Sequence, residues 1–480
     1  MIGLDYVLNV IKNMPKQRIL NFQGLNLKLS PYLQTEGELL RCVNMSDDLI
    51  GAKEKRPGYA AYLGTADNSA IDSIWNFQLN NGTQFWNYRA SGGSIYYSQQ
   101  GTGAWTICGG GTMTSGTPIF NAISENTMLL CDGGSATRHT TNGTSFTNTT
   151  SAPIARGMVD YQNRIYAIGT ASTFFWSNAG TPTDWTNDSS SINIPGPGRL
   201  HTVMKVADRA VVSKNSGIMH RWDGFNLIDL ATNLGPSSPQ SLANVEDFRF
   251  YLNRLGIFGY GGNKPEIISN HIEKQIYNDA GLGIAGTSFN DAMGIAYKYN
   301  YYLSVGTITD DLTYGTVSNA ILKYNYQLNQ WSNYTFADRP TAWGTYQDAN
   351  GSLQLLFGNS GGQVFTYGGT VTTDNTATIE AIMEFVIHGG MPETDKKWNY
   401  FWAFFNPGNQ AKVQVAISDT FTLQKKKWVD LGDCSDGIAE FRFPEGSRGK
   451  LLFVKIYEAS RNNRFQFLGV AYDADPIDRR

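Results

Sequence analysis

Paired carboxylates are the first chemistry that the sequence could support, because glycoside hydrolysis needs two of them flanking the scissile bond. Acidic doublets occur on stretches predicted to be loops, at 46–48 (SDD), 245–248 (VEDF) and 309–312 (TDDL). The chain has 41 acidic residues among 480, so doublets of this kind arise without any function. We therefore predict no catalytic carboxylate from spacing alone.

Arginines are the second possibility, since a sialidase requires three guanidinium groups that each form a bidentate fork with the substrate carboxylate. The candidates are spread along the chain instead of being clustered. They are Arg89, Arg156, Arg164, Arg221, Arg249 and Arg254. Sequence reasoning cannot bring three of them to one place.

Metal and cofactor sites have weak support, because no histidine belongs to an HExxH motif or a close ligand cluster. The five histidines are His139, His201, His220, His271 and His388. His220 falls in a predicted strand, where a hydrogen-bonded core or surface residue is the favoured interpretation. The glycine-rich stretch 108–116 (CGGGTMTSG) lacks the Lys-Ser/Thr of a phosphate-binding loop. We predict no metal, no cofactor and no catalytic residue.

The cysteines and the basic runs also favour structural interpretations. Cys42, Cys108, Cys131 and Cys434 lack CxxC spacing, so we expect buried apolar thiols in a reducing compartment. The runs 395–400 (DKKWNY) and 425–428 (KKKW) could contact phosphates, but solvated loop charge is the favoured interpretation. A net charge of −3 predicts no electrostatic footprint for nucleic acid or anionic membrane.

No apolar run reaches the roughly 18 residues that a membrane-spanning helix needs. The first 20 residues have Asp5 inside their apolar stretch and no basic residue before it, so we expect no cleaved signal peptide. This start is interpreted instead as a short amphipathic helix or a docking arm.

A repeat of about forty residues predicts the elements that must position any site. The 51 glycines and 13% aromatic residues favour β structure. Apolar strand starts recur 38 to 50 residues apart, at Trp75, Phe120, Met158, Met204, Val245, Met293 and Trp343. This period is typical of a four-stranded propeller blade. We predict an all-β chain with a β-propeller of about seven blades, six to eight being possible.

The pattern changes after Gly369, where a Thr-rich link leads into short alternating strands such as 411–418 (AKVQVAIS) and 450–457 (KLLFVKIY). These predict a small antiparallel β-sandwich over 370–480. The expected organisation is thus an N-terminal arm and propeller-closing segment at 1–62, a propeller at 63–369 and the sandwich. The closing segment is expected to add a strand beside 342–369, and an arm gripping a neighbouring subunit is the alternative.

Two stretches resemble the Asp box (Ser-x-Asp-x-Gly-x-x-Trp) found on blade turns of carbohydrate-cleaving propellers. They are 174–187 (FFWSNAGTPTDWTN) and 96–107 (YYSQQGTGAWTI). The first has Asn178 where the box has its Asp, and both have one extra residue between Gly and Trp. Because the box lies away from the catalytic carboxylates, it indicates the fold and not a reaction.

The most specific stretch is 20–62, which runs from a Gly-Leu-Asn entry through Ser-Pro to Lys55-Arg56-Pro57-Gly58. It resembles the opening of the tail nozzle proteins of short-tailed bacteriophages, the group of tail tubular protein B and the propeller-bearing tail accessory factors. The hairpin 177–185 (SNAGTPTDW) and the exit from 361–369 (GGQVFTYGG) into a sandwich are similar to that group as well.

The resemblance implies a structural, non-enzymatic virion protein, assembled in the host bacterial cytoplasm as a homo-oligomeric ring, usually hexameric. Such a ring would contact the portal-adaptor ring and tail fibres or spikes, and viral DNA would pass through it without sequence-specific binding. Ring contacts are expected on outer blade faces, the sandwich and inserts such as 269–291. The alternatives are a propeller glycosidase or carbohydrate-binding protein, and a host-receptor-binding tail protein.

Overall fold

The computed structural model describes residues 17–48, 51–80, 82, 84–99, 101, 103–186, 191–207, 209–276, 283–310, 315–348, 351–406, 411–420, 426–434, 437–459 and 464–477. Parts of the stretches 1–20, 269–291, 309–312 and 425–428 considered above lie outside these residues. Almost all regular structure within them is β. Among the helices of this part of the chain, none is long and apolar enough to cross a membrane.

The N-terminal segment, residues 17–62, supplies five short strands to three different sheets. They are β1 (Gln17–Ile19), β2 (Leu39–Val43), β3 (Met45–Ser46), β4 (Lys53–Lys55) and β5 (Tyr59–Ala61). One sheet of the sandwich contains β1, β3 and β4, the other contains β2, and β5 belongs to the propeller.

Residues 71–267 form five separate four-stranded sheets, blades 1 to 5, whose strands pair antiparallel in chain order. Blade 1 has β6 (Ile71–Gln78), β7 (Phe85–Ser91), β8 (Ser94–Gln99) and β9 (Thr106–Thr112), and blade 2 has β10 (Phe120–Ser124), β11 (Thr127–Cys131), β12 (Arg138–Thr140) and β13 (Thr147–Asn148). Blade 3 has β14 (Ala155–Tyr161), β15 (Arg164–Gly169), β16 (Thr173–Trp176) and β17 (Ser191–Asn193), and blade 4 has β18 (Leu200–Val206), β19 (Arg209–Lys214), β20 (Met219–Trp222) and β21 (Leu227–Ala231). Blade 5 has β22 (Ala243–Val245), β23 (Phe248–Asn253), β24 (Gly256–Tyr260) and β25 (Glu266–Ile267).

The ring continues with a sixth unit and a closing blade. Short helical pieces lie before and between them: 3-10 turns at Pro239–Ser241 and Asn270–Ile272, α1 (Glu273–Ile276) and α2 (Ser288–Asp291). The sixth unit has β27 (Met293–Tyr297), β28 (Asn300–Asp310), β29 (Gly315–Asn325) and β30 (Gln330–Thr335), with β26 (Gly283–Ile284) paired to β28. The closing blade has β31 (Ala342–Gln347), β32 (Leu353–Gly358) and β33 (Val364–Tyr367), followed by β5.

Residues 381–476 complete the sandwich with β34 (Ala381–Ile387), β35 (Lys396–Phe405), β36 (Ala411–Ser418), β37 (Val429–Cys434), β38 (Ile438–Arg442), β39 (Arg448–Gly449), β40 (Leu451–Glu458) and β41 (Gln466–Pro476). One sheet has the order β3-β4-β41-β35-β38, with β1 on β41 and β39 on β35. The facing sheet has the order β2-β34-β40-β36-β37. The sandwich thus takes four of its strands from the N-terminal segment.

The predicted all-β propeller fold is confirmed, with a difference in the blade count. The structure has six separate four-stranded blades, one fewer than the seven predicted. The remaining predicted repeat is the sixth unit along the chain, which is not a separate blade. Its strand β30 pairs in parallel with β2, at Val43 and Asn333, and β2 pairs in turn with β34. Propeller and sandwich therefore share one ten-stranded sheet.

The closing strand β5 takes the place expected for the N-terminal segment. Ala60 and Ala61 pair antiparallel with Thr366 and Phe365 of β33. The buried Tyr59 ring packs against Phe357, with ring centroids 4.8 Å apart. The N-terminal strand therefore completes the closing blade as its fourth strand.

The Lys55-Arg56-Pro57-Gly58 turn joins the parts of the molecule. The Arg56 guanidinium is buried and donates to both carboxylate oxygens of Asp374, at 2.8 and 2.7 Å. Its Nε donates to Asn44 Oδ1 at 2.7 Å, and Lys55 forms a buried ion pair with Glu458 of β40. A Cβ on Gly58 would lie 1.9 Å from the Thr373 carbonyl oxygen, so only glycine fits this close approach.

Proline substitution in β5 tests the closure. Tyr62 N–H donates to the Val364 carbonyl at 2.8 Å, so by the alternation of the ladder Ala60 N–H also faces β33 and Ala61 N–H faces away. We expect Ala60→Pro to lower the midpoint of thermal unfolding more than Ala61→Pro, because only the first removes a ladder hydrogen bond. Equal effects in circular dichroism melts would contradict this closure.

Asp374→Asn tests the turn. The substitution leaves the buried Arg56 charge without its carboxylate, so we expect about 3–5 kcal/mol less free energy of unfolding in urea titrations. Asp475→Asn, on an exposed side chain near the end of β41, is the control and should change it by less than about 0.5 kcal/mol. A loss of the same size in both variants would show that the pair does not stabilise the fold.

Candidate functional site

A cavity of about 680 Å³ lies on the propeller axis. It is lined by residues on or beside the first strand of each repeat: β6, β10, β14, β18, β22, β27 and β31. Since every repeat is an antiparallel meander, these inner strands run in the same direction. We call the side where they begin the start face and the side where they end the end face.

Three inner strands carry a β-bulge at their beginning. The register shifts fall between Ile71 and Ser73 in β6, between Ala155 and Gly157 in β14, and between Leu200 and Thr202 in β18. The bulged residues are Asp72, Arg156 and His201, and all three line the cavity. A bulge redirects a side chain, and bulges are frequent beside active sites. The start face therefore has a mouth with three ionisable groups.

Two of these groups belong to a cationic cluster with Arg199, an exposed residue just before β18. Burial lowers the pKa of His201, and the charges of Arg199 and Arg156 lower it further, whereas a hydrogen bond to the Ser237 carbonyl, 3.1 Å from Nε2, partly offsets this. Burial, and then Arg199, also lower the pKa of Arg156. The positive charges of the two arginines thus disfavour protonation of the His201 ring.

Asp72 faces the same mouth from blade 1. Burial raises its carboxyl pKa, and the hydrogen bond that its Oδ2 accepts from Gly116 N–H, at 3.2 Å, partly offsets the shift. On blade 2, Gly133 lies against the Arg156 side chain. The preceding residue, Asp132, accepts backbone hydrogen bonds from Thr114, Gly134 and Ser135.

The end face has a different set of polar groups: Asp160, Lys205, Asn244 and Arg249. Burial raises the pKa of Asp160, and Lys205 and Ser124 counteract it. Burial also lowers the pKa of Arg249, which pairs across the ladder with Asn244.

Glycosidase geometry is absent from the described lining of this cavity. Its two carboxylates are Asp72, at the start of an inner strand, and Asp160, four residues beyond the bulged position of another. At roughly 3.3 Å per residue they are about 13 Å apart along the axis. Retaining and inverting glycosidases need about 5 to 9.5 Å. The sialidase trio is absent from the same lining too, since only Arg156 and Arg249 contribute and they lie at opposite ends.

The other candidate arginines have separate structural roles. Arg89 forms an ion pair with Asp67 at 3.0 Å, and Arg164 donates to the Ser177 carbonyl at 2.8 Å. Arg221 lines a second cavity, of about 170 Å³, between blades 4 and 5. Arg254 is exposed on the β23–β24 turn.

The histidines form no metal site in the described part of the chain, where no group of three potential ligands occurs. His220 is buried, with Nδ1 2.7 Å from Asp229 Oδ1, as its strand position indicated. His139 contacts Thr149 and Thr147, and His388 contacts the Gln34 carbonyl. All four cysteines are free and buried, as expected from their spacing.

Solvated loop charge was the favoured interpretation of 395–400 and 425–428, and it was wrong for Lys396 and Lys426, whose side chains are buried. The SDD doublet is also in part buried. Lys396 donates to the carbonyls of Met391, Thr394 and Lys450. Lys426 lies 4.0 Å from the Phe453 ring centroid, and its burial lowers its pKa to about 8. Asp47 of the SDD doublet forms a buried ion pair with Lys323. In each case tertiary packing supplies partners that are distant in sequence.

The Asp-box-like stretches occupy the third connection of their blades, β8–β9 and β16–β17. Asn178 Nδ2 donates to Asp184 Oδ2 at 2.8 Å, and Trp185 Nε1 donates to the Pro182 carbonyl at 3.1 Å. Ser177 Oγ accepts from Ile165 N–H at 2.9 Å. These bonds close the turn on itself, which is a structural use of the motif.

Sequence reasoning considered Arg156 and His201 separately and missed Asp72 as well as the grouping. The three share a signal: a charged or ionisable residue, one small residue and two apolar ones, as in DSIW, RGMV and HTVM. A bulge produces this pattern because its extra residue interrupts the alternation of inward-facing and outward-facing side chains along the strand.

The comparisons with known proteins add no family. Neither a protein-family model nor a curated protein sequence matches this chain. Among solved structures, it is similar to YCF48 bound to D1 peptide, with 9% identity and a TM-score of 0.43 over 65% of this chain and 98% of that chain. It is also similar to BamB from Moraxella catarrhalis, with 11% identity and a TM-score of 0.38 over 72% and 97%. These scores are low, and the fold assignment depends on the strand order described above.

The charge cluster predicts how His201 titrates. We expect a pKa below the ordinary 6.5 in an NMR titration, and a higher value in Arg199→Ala, because one repelling charge is removed. Arg254→Ala should leave it unchanged. A lowered folded-state pKa means that the unfolded state binds the proton more tightly, so this group reduces stability as the pH falls from about 6.5 to its folded-state value. A pKa at or above 6.5 would contradict the geometry.

Proposed function

We propose that this chain is a structural virion protein of the tail nozzle type, forming a homo-oligomeric ring in the tail of a short-tailed bacteriophage. In this proposal the ring contacts the portal-adaptor ring and carries fibres or spikes, and the genome passes through it. The expected site of assembly is the host bacterial cytoplasm.

The observation that carries the proposal is the position of segment 20–62, the stretch with the most specific resemblance to nozzle proteins. Two residues of its Lys55-Arg56-Pro57-Gly58 turn are packed inside the molecule: Arg56 is buried against Asp374, and Gly58 fits against Thr373. The features on which the resemblance depends therefore have a structural task in this chain. That is what one expects if the resemblance reflects a shared architecture.

Exposed apolar side chains on blades 4 and 5 support self-association. Phe225, on the β20–β21 turn, is 88% exposed, and Phe248, after the β22–β23 turn, is 53% exposed. Both turns are on the end face of neighbouring blades, and the Phe248 ring lies against Gly261. Two neighbouring exposed aromatic residues are typical of protein contact sites.

The axial cavity favours a second candidate, a binding protein for a small molecule or carbohydrate. Its volume is in the range of ligand sites, about 300–1,000 Å³. The wide separation of Asp72 and Asp160 argues against hydrolysis there. A receptor-binding tail protein is a further alternative, and it too would use exposed aromatic residues.

Electron microscopy of the purified chain and of particles that contain it tests the nozzle proposal. We expect rings on the tail axis, with a mass in solution near six times 53.0 kDa. Phe225→Ser should weaken ring formation, whereas Leu353→Ser, an exposed apolar residue on the closing blade, should not. A chain that stays monomeric, is absent from the tail axis and hydrolyses an aryl-sialoside would contradict the proposal.

A further inference from the structure

We propose that the start-face mouth of the axial cavity binds the phosphate group of a small molecule, held by Arg156 and His201 of the lining and by Arg199, which is exposed just before β18. This site is independent of the nozzle proposal, since it depends on one propeller and not on a ring.

The first argument is unbalanced charge. No ion pair joins any of the three residues to a carboxylate among the described residues. Asp72, the acidic residue at the same mouth, accepts a backbone hydrogen bond from Gly116 N–H. Two guanidinium groups without a carboxylate partner are stabilised by an anion placed beside them.

The second argument is the set of donors. Arg156 Nε is shielded from solvent and has no hydrogen-bond partner in the described structure. His201 Nε2 faces the Ser237 carbonyl, which leaves Nδ1 as the ring nitrogen for a ligand. Guanidinium forks match phosphate oxygens bidentately, so the two arginines supply the main donors for one phosphate group. His201 Nδ1 adds a donor when the phosphate charge favours protonation of the ring.

The third argument is preorganisation. Bulges in β14 and β18 direct Arg156 and His201 to the cavity. Arg199 is fixed through its backbone, because its N–H donates to Asn215 Oδ1 at 3.1 Å and its carbonyl accepts from Asn215 N–H at 3.0 Å. A Cβ on Gly198 would lie 2.3 Å from Asn215 Oδ1, so glycine is needed for this approach.

The fourth argument is the space behind the cluster. The cavity of about 680 Å³ exceeds the volume of a phosphate ion and has room for an attached body. Its wall beyond the cluster offers polar groups such as Gln240 and Asn244. A small polar phosphate ester, such as a sugar phosphate, suits this arrangement better than a bare ion.

Calorimetric titration of the full chain with inorganic phosphate, ribose 5-phosphate and ribose tests the site. We expect ribose 5-phosphate to bind and ribose not to bind. Ribose 5-phosphate binding at least tenfold tighter than inorganic phosphate supports the proposal of a small-molecule ligand, whereas equal affinities would overturn it because only the ion would then be recognised. Failure of both phosphates to bind at millimolar concentrations would overturn the proposal.

Matched variants distinguish this site from general attraction to positive charge. Arg199→Ala changes an exposed side chain and should weaken ribose 5-phosphate binding at least tenfold with unchanged circular dichroism. Arg254→Ala, which removes the same charge from an exposed turn on the same face, should leave the affinity unchanged. In NMR, ribose 5-phosphate should move the His201 ring signals in the wild type. Equal affinities of the two variants would overturn the assignment.

Discussion

The buried Arg56 guanidinium is the interaction on which the architecture depends. It contacts Asn44 of the N-terminal segment, the Thr335 carbonyl of the sixth unit and Asp374 of the link to the sandwich. Burying a guanidinium costs several kcal/mol unless every donor has a partner, and here the bidentate carboxylate offsets that cost. Separating the three segments would leave this buried charge without its partners, which is strongly unfavourable.

The same principle repeats along the shared sheet. Lys323 of β29 is buried, and although burial alone would lower its pKa, Asp47 and Asp48 outweigh it and raise the pKa above its ordinary value. Lys55 is paired with Glu458 across the sandwich. These charges come from the N-terminal segment and from strands far away in sequence. The propeller and the sandwich are therefore joined through paired buried ions as well as through the apolar core.

Much of the fold could be predicted from the sequence, because the spacing of Trp75, Phe120 and their equivalents reports the period of the blades directly. The merging of the sixth unit with the sandwich could not be predicted. It depends on the parallel pairing of Val43 with Asn333, which lie 290 positions apart and share no local pattern. The candidate site was visible only as separate residues. Its grouping depends on bulges and on ring closure, which are properties of the folded chain. Buried lysines such as Lys396 were mistaken for solvated charge for the same reason.

Because segment 17–62 supplies strands to both the propeller and the sandwich, we expect the two parts to unfold together. Such rigidity suits a subunit of a ring. Native-state hydrogen exchange measured across increasing denaturant tests this most directly. Amides of β33, in the closing blade, and of β34 and β40, in the sandwich, should converge on one free energy of opening with one denaturant dependence. Two distinct free energies, with the sandwich exchanging while the propeller stays protected or the reverse, would contradict the account.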